Sequence, residues 1–313
     1  MRITLVVVGT IPSRGYGGTQ RQVDWLASEF ARLGHSVMLI ADPGSSHPLC
    51  EVRHASSEAQ CRAAIPADTQ IVHFHSRFLD VPYPTLNTAH GYSPQKPRPQ
   101  PNWSFVSASH ARNHGRKTFV YNGFPTDSYR LAASKNDHLL FLASIARAGK
   151  NLNRAVDLAK KFEFPLDIAG GSRWMLLTRS QVRRDGVFFK SLGGRFRFHG
   201  VVDGEKKHRL LGEAKAFLNP IAWEEPFGMA PVEAMLCGTP VLTTPRGAMP
   251  EIINDDTGRL FNSDEEFAAA LAAVTGLSPQ NCRDQAAERF SIARTAKGYL
   301  DLYQRILDGE TLP

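Results

Sequence analysis

The chain is poor in the features that mark membrane, disulfide-rich and zinc-binding proteins. No apolar run in its 313 residues approaches the ~20 residues a membrane helix requires. Four cysteines, Cys50, Cys61, Cys237 and Cys282, show no zinc or redox spacing, and free thiols in a cytosolic protein are the simplest reading. The opening MRITLVVVGTI is apolar but lacks an A-x-A-like cleavage site and runs straight into a glycine loop. It reads as a first strand rather than a signal peptide. A cytoplasmic protein is therefore expected, with peripheral contact at the inner face of the membrane as its only membrane role.

Acidic residues are outnumbered, 30 against 37 Lys and Arg, giving a net charge of +7. Residues 1–130 carry 13 basic against 8 acidic side chains, and residues 131–313 carry 24 against 22. The excess in the first half suits a phosphorylated acceptor, an anionic membrane surface or simply a solvated basic surface. A nucleic-acid partner is not expected, because no aromatic platforms are read as interleaved with the basic residues.

What is present fits a soluble globular protein: 42% hydrophobic and 21% charged residues, in a length that accommodates two domains. Ile3–Val8 reads as a buried strand, Gln20–Leu33 has helical apolar spacing, and His35–Ile40 reads as the next strand. This opening is Rossmann-like. Gly17 and Gly18 let the backbone approach a ligand just before a helix N-terminus. Asp42–Ser57 reads as a loop, Ile71–His75 and Leu86–Ala89 as strands. His90 then falls just past a strand end, where open α/β sheets place ligands. His73 and His75 share a strand face with a metal site as one reading, but no carboxylate or cysteine stands nearby at ligand spacing, so none is expected. Ser93–Pro101 is proline-rich and reads as an irregular loop. The two halves share architecture but no recognisable sequence repeat.

The most informative stretch is Asn219–Val241, NPIAWEEPFGMAPVEAMLCGTPV. Glu225 and Glu233 stand eight positions apart. Pro226, Phe227 and Gly228 separate the first from an apolar helix opening near Met229, with Pro231 tolerated in its first turn. Gly238 and Pro240 stop the helix. A helix N-terminus favours a phosphate, and an ionised carboxylate can accept two hydrogen bonds from a diol. One carboxylate for a sugar, one for a ribose and amides for a diphosphate together describe a nucleotide-sugar site.

This stretch resembles the glutamate-x7-glutamate signature of the family-4 retaining glycosyltransferases. The resemblance implies an α/β fold of two Rossmann-like domains facing each other across a cleft, the GT-B fold. It implies an acceptor-binding domain over 1–130, a nucleotide-sugar domain over 131–290, and a helix over 291–313 crossing back to the first domain. Gly17 and Gly18 then match the family's GGT-E/Q loop near the donor, with Gln20 and Arg21 beside it. His90 matches a His beside the sugar, in a positioning role, and Glu225 a sugar-binding carboxylate. In SIARAGKN, Lys150 matches a diphosphate-binding lysine. The family's arginine more often falls where Ser144 stands, and Arg147 is the substitute. Phe227, Gly228, Met229 and Glu233 complete the implied donor site.

The expected function is a retaining transfer of a hexose, glucose by default, from a nucleoside-diphosphate sugar such as UDP-glucose. The acceptor is a hydroxyl on a small molecule, saccharide or lipid-linked compound. YGGTQRQV, TAHGY and WEEPFGMAPVEAMLCGTPV resemble short bacterial members that glucosylate small molecules such as tetrahydrobiopterin. No D-x-D triplet occurs, and cations can compensate a leaving diphosphate, so neither metal nor cofactor is expected. The alternatives are a non-catalytic nucleotide-sugar binding protein and a phosphorylase, the latter needing a cofactor lysine of which there is no sign.

Overall fold

A computed structural model describes residues 1–13, 17–91, 101–178 and 186–313 of the protein. Apart from Pro101, the proline-rich stretch read as a loop lies outside these residues, as do 14–16 of the glycine loop. The chain forms two compact units, Met1–Pro125 with Phe290–Pro313, and Thr126–Arg289.

The first unit holds strands β1 (Arg2–Val6), β2 (Ser36–Ala41), β3 (Glu51–His54), β4 (Ile71–Phe74), β5 (Thr85–Thr88) and β6 (Trp103–Ser104). They pair in parallel in the order β3-β2-β1-β4-β5-β6. Alternation along β1 feeds two cores. Ile3 and Leu5 meet Val23, Leu26 and Phe30 of helix α1 (Gly18–Arg32) and Tyr299, Leu302 and Tyr303 of the C-terminal helix (Ile292–Leu307). Val6 turns to the other face, with Val72, Phe74 and Cys61 of helix α2 (Glu58–Ala64). A sheet covered on both faces explains why β1 and β2 read as continuous apolar runs. β3 lies at a sheet edge and is only half-buried, so its EVRH carries no such run and 42–57 reads as a loop from sequence. The C-terminal helix belongs to the first unit because its apolar stripe completes that core.

The second unit holds β7 (Leu139–Leu142), β8 (Leu166–Ala169), β9 (Phe196–Gly200), β10 (Ala216–Asn219), β11 (Val241–Thr243) and β12 (Gly258–Leu260). They pair in parallel in the order β12-β11-β10-β7-β8-β9. Numbered within its own unit, each sheet has the same doubly wound order, 3-2-1-4-5-6. Leu139, Phe141, Leu166, Ile168 and Leu218 pack against Leu152, Ala155 and Val156 of helix α3 (Leu152–Lys161). Helices α4 (Gly204–Glu213) and α5 (Met229–Leu236) complete the parts used below. The unit begins at Thr126, before the sequence boundary of 130, because the Arg283 guanidinium donates to the carbonyls of Thr126 and Tyr129.

Strand order reverses between β1 and β4 in one sheet and between β7 and β10 in the other. Open parallel sheets bind ligands beyond the carboxyl ends of the strands at such a reversal.

Candidate functional site

In the second unit the loops after β7 and β10 flank the reversal and are stitched together. Asn151 takes the left-handed conformation (φ 58°), which Asn tolerates better than most residues. From there its side-chain amide donates to the Pro220 carbonyl at 2.9 Å, and the Ala222 N–H donates to the Gly149 carbonyl at 2.9 Å. This brings Lys150 onto Glu225 as an ion pair. The Trp223 indole N–H donates to the same Glu225 oxygen, Oε2, at 3.0 Å, and the Lys150 ammonium lies 5.0 Å from the indole centroid. A Cβ on Gly149 would stand 3.1 Å from Trp223, so a side chain there would press on the indole.

The backbone of Glu225 is fixed separately. The Ala248 N–H donates to the Glu225 carbonyl at 2.9 Å. Gly247 (φ +58°) lies so close that a Cβ would fall 2.3 Å from the Glu225 nitrogen. Only glycine fits there without displacing the carboxylate. Arg147, three residues before Lys150, is exposed, and its guanidinium has no ion pair among the described residues.

Helix α5 opens as its sequence suggests. Gly228 is its N-cap in the left-handed region (φ 96°), and a Cβ there would meet the Met249 methyl at 2.5 Å. Met229 is the first helical residue and Pro231 the third. Gly238 (φ 73°) closes the helix, its N–H donating to Met235 and that of Thr239 to Ala234 at 2.8 and 2.9 Å, a Schellman closure. Phe227 is buried.

Glu233 lies a turn inside α5 and is almost fully buried. Its Oε1 accepts from Lys207 Nζ of α4 at 2.8 Å and from the Tyr129 hydroxyl at 3.0 Å. Side-chain exposure is 2% for Glu233 and 9% for Lys207, so each charge depends on the other for compensation.

In the first unit the reversal carries histidines. His73 bridges the Tyr303 hydroxyl at 2.6 Å and the Thr88 hydroxyl at 2.7 Å. His75 Nδ1 meets His90 Nε2 at 2.8 Å, and His75 Nε2 is buried with no partner among the described residues. An N–H at that buried nitrogen would be stranded, so the His75 proton belongs on Nδ1, donated to His90, which keeps its own on Nδ1. Burial, with His110 adding repulsion, pushes the His90 pKa down to about 3. Burial likewise holds His73 and His75 well below the usual histidine range. These rings are neutral near pH 7 and serve as hydrogen-bonding groups. Gly17 caps α1 without a side-chain bond, and a Cβ there would collide with the Ser13 hydroxyl at 2.0 Å; Gly18 is the first helical residue. Gln20 turns to the Val8 carbonyl at 2.8 Å, and Arg21 lies over Trp25 at 5.4 Å.

Sequence reading selects Lys150, Glu225, Glu233 and His90 but not the residues that hold them: Trp223, Gly247, Lys207, Tyr129 and His75. Trp223 had a local signal, standing two positions before Glu225 in the WEEPFG run. Lys207 and Tyr129 had none, since only the tertiary fold brings them to Glu233. Among the described residues no group of three or more His, Cys, Asp or Glu could hold a metal ion, and no helix is long and apolar enough to cross a membrane.

Comparison with known proteins bears on these arrangements. Residues 136–276 match the family described as Glycosyl transferases group 1. A phosphatidyl-myo-inositol mannosyltransferase of Propionibacterium freudenreichii is 32% identical over 91 residues, 28% of this chain and 24% of that protein. This chain thus aligns with about a quarter of the length of that curated relative. Among solved structures, AviGT4, a glycosyltransferase involved in Avilamycin A biosynthesis, superposes with a TM-score of 0.83 at 24% identity, over 100% of this chain and 99% of that one. Anabaena HepE in complex with UDP superposes at 0.72, with 14% identity over 96% and 99% of the two chains.

Proposed function

We propose, for a chain whose residues 136–276 match the glycosyl transferases group 1 family and whose fold is GT-B, a retaining transfer of a hexose from a nucleoside-diphosphate sugar to a hydroxyl acceptor. The observation that carries this reading is the Lys150–Glu225–Trp223 cluster, held at the β7/β10 reversal ahead of the α5 N-terminus. The ion pair holds the two groups together before a ligand arrives. A diphosphate takes over Lys150, and the sugar hydroxyls take over the lone pairs of Glu225. The positive end of α5 adds to Lys150 in stabilising charge on the departing phosphate.

Glu233 is assigned to the ribose. Lys207 donates to its Oε1, and a carboxylate accepts from a diol without donating. His90, neutral and hydrogen-bonded, is assigned to positioning rather than proton transfer. Retention follows from attack on the face the phosphate leaves, the phosphate itself taking the acceptor's proton. The reaction is proposed to need no divalent metal. UDP-glucose is the preferred donor, a choice supported by the capture of HepE with UDP and glucose.

A thermal-shift screen tests donor recognition: UDP or GDP with EDTA should raise the melting temperature, since a ligand at ~100 times its Kd adds about 2.7 kcal/mol. No shift with any nucleoside diphosphate would remove the donor assignment. A second reading, a non-catalytic nucleotide-sugar binding protein, is favoured by Ser144 at the position of the family's usual arginine. It predicts the same thermal shift but no transfer or hydrolysis of the donor.

A further inference from the structure

Three neutral histidines stand together beside the β1/β4 reversal, and the transfer reaction proposed above uses only His90. His73 and His75 stack with ring centroids 3.8 Å apart, and His90 follows 5.1 Å from His75. The Tyr299 ring lies edge-on to both buried rings, 4.8 Å from His73 and 6.3 Å from His75. The His75 backbone N–H donates to the Val6 carbonyl at 2.9 Å, continuing the β1/β4 ladder, and the residue is only 3% exposed. Ring and backbone of His75 are thus both fixed.

The two buried rings differ in what they dictate. His73 has a hydroxyl at each nitrogen, Tyr303 at 2.6 Å and Thr88 at 2.7 Å. A hydroxyl donates or accepts, so either tautomer of His73 is satisfied. His75 has a partner at one nitrogen only, because its Nε2 is buried with none among the described residues. The 2.8 Å contact between His75 Nδ1 and His90 Nε2 holds a single proton. With that proton on His75, His90 Nε2 is the acceptor, and a neutral imidazole then carries its own proton on Nδ1. His90 is half-buried, and its Nδ1 has no partner among the described residues, so this N–H is free to meet a ligand.

A neutral imidazole with no such neighbour carries its proton on either nitrogen. We infer that His75 is a positioning residue that removes this freedom from His90, fixing it as an Nδ1–H donor, and that the ligand group His90 meets is an oxygen offering a lone pair. A sugar hydroxyl or a phosphate oxygen qualifies, whereas an ammonium, which only donates, does not. The same logic sets the free nitrogen of any functional histidine through the hydrogen bond its other nitrogen makes. The role of this N–H toward a ligand rests on the transfer reaction proposed above, while the tautomer belongs to the chain alone.

The test is nitrogen-15 NMR of the full chain, labelled at histidine, near neutral pH and without ligand. Long-range proton–nitrogen correlations separate an Nδ1–H ring from an Nε2–H ring, and His90→Gln assigns the His90 signals by their loss. Wild type should show His75 and His90 both as Nδ1–H. In His75→Phe, which keeps a ring in the stack and offers no donor, His90 should lose that fixed state. His75→Asn, whose amide N–H can replace Nδ1–H, should restore it. Turnover of UDP-glucose should follow, with kcat/KM lower by roughly tenfold in the Phe variant and by at most roughly threefold in the Asn variant, as expected of one hydrogen bond. His90 carrying its proton on Nε2 in wild type overturns the inference, whether or not the variants fold. So does an unchanged Nδ1–H in His75→Phe. Equal losses of turnover in the Phe and Asn variants would assign His75 to packing alone and overturn it as well. Because the tautomer is read without ligand, a chain that shows it but turns over no donor loses the transfer reaction and not the positioning of His90.

Discussion

The two units share a strand order and differ in the electrostatics of its reversal. At β7/β10 stand Lys150 and Glu225, an ion pair, with the buried Lys207–Glu233 pair behind them. Beside β4, at β1/β4, stand His73 and His75, with His90 joined to His75, all held neutral by burial. One topology therefore supplies two kinds of polar surface. Where charges are kept, the fold provides counter-charges. Where none is provided, the ionisable rings give up their protons.

The largest effect is expected from Glu233→Ala, which strips the buried Lys207 of its counter-charge. Breaking such a pair from one side costs about 3–5 kcal/mol, and urea unfolding should show a loss of that order. Glu233→Gln, which keeps an acceptor for Tyr129, should lose less and is the better variant for measuring nucleotide affinity. Equal stability of the Ala variant and wild type would mean that the pair is not the support described.

Lys150→Ala should follow, raising the barrier to turnover by roughly 2–4 kcal/mol in steady-state kinetics, while Arg147→Ala should change it far less. The basis is geometric: Lys150 is held on Glu225, and Arg147 is exposed with no ion pair among the described residues. A larger loss at Arg147 would reverse the assignment.

Gly247→Ala comes next. The new Cβ would stand 2.3 Å from the Glu225 backbone at a φ of +58°, so the loop must shift. A stability loss of about 1–3 kcal/mol, with a larger loss of turnover than of nucleotide binding, is expected from melting and calorimetry. Unchanged turnover would show that Glu225 need not be held so closely.

The smallest effect sharpens the neutral side. His90 has its pKa lowered from 6.5 to about 3, so the unfolded chain binds the additional proton between those values. Stability is then full above pH 6.5 and falls as the pH drops toward 3, with His73 and His75 acting in the same direction. Melting temperatures followed from about pH 7.5 to 4.5 should fall, and less steeply in His90→Gln. A variant with the same slope as wild type would exclude His90 from the acid sensitivity.

Much of this was legible in the sequence for a physical reason. Buried parallel strands such as Ile71–Phe74 and Val241–Thr243 are apolar runs, and α5 carries its own stop in Gly238 and Pro240. β3 and β12, four and three residues long at sheet edges, lack that signature. The candidate site was legible where a motif is local, from Trp223 to Glu233. Its supports were not, because Lys207, Tyr129 and Gly247 reach the glutamates only through tertiary structure.

Phosphorus NMR of UDP-glucose and the full chain with EDTA tests the central claim most directly. The account predicts that the donor's paired diphosphate resonances give way to those of UDP, by transfer or slow hydrolysis, and that Lys150→Ala suppresses this. A nucleotide that binds while UDP- and GDP-sugars stay intact across an acceptor screen would contradict it and leave a binding protein.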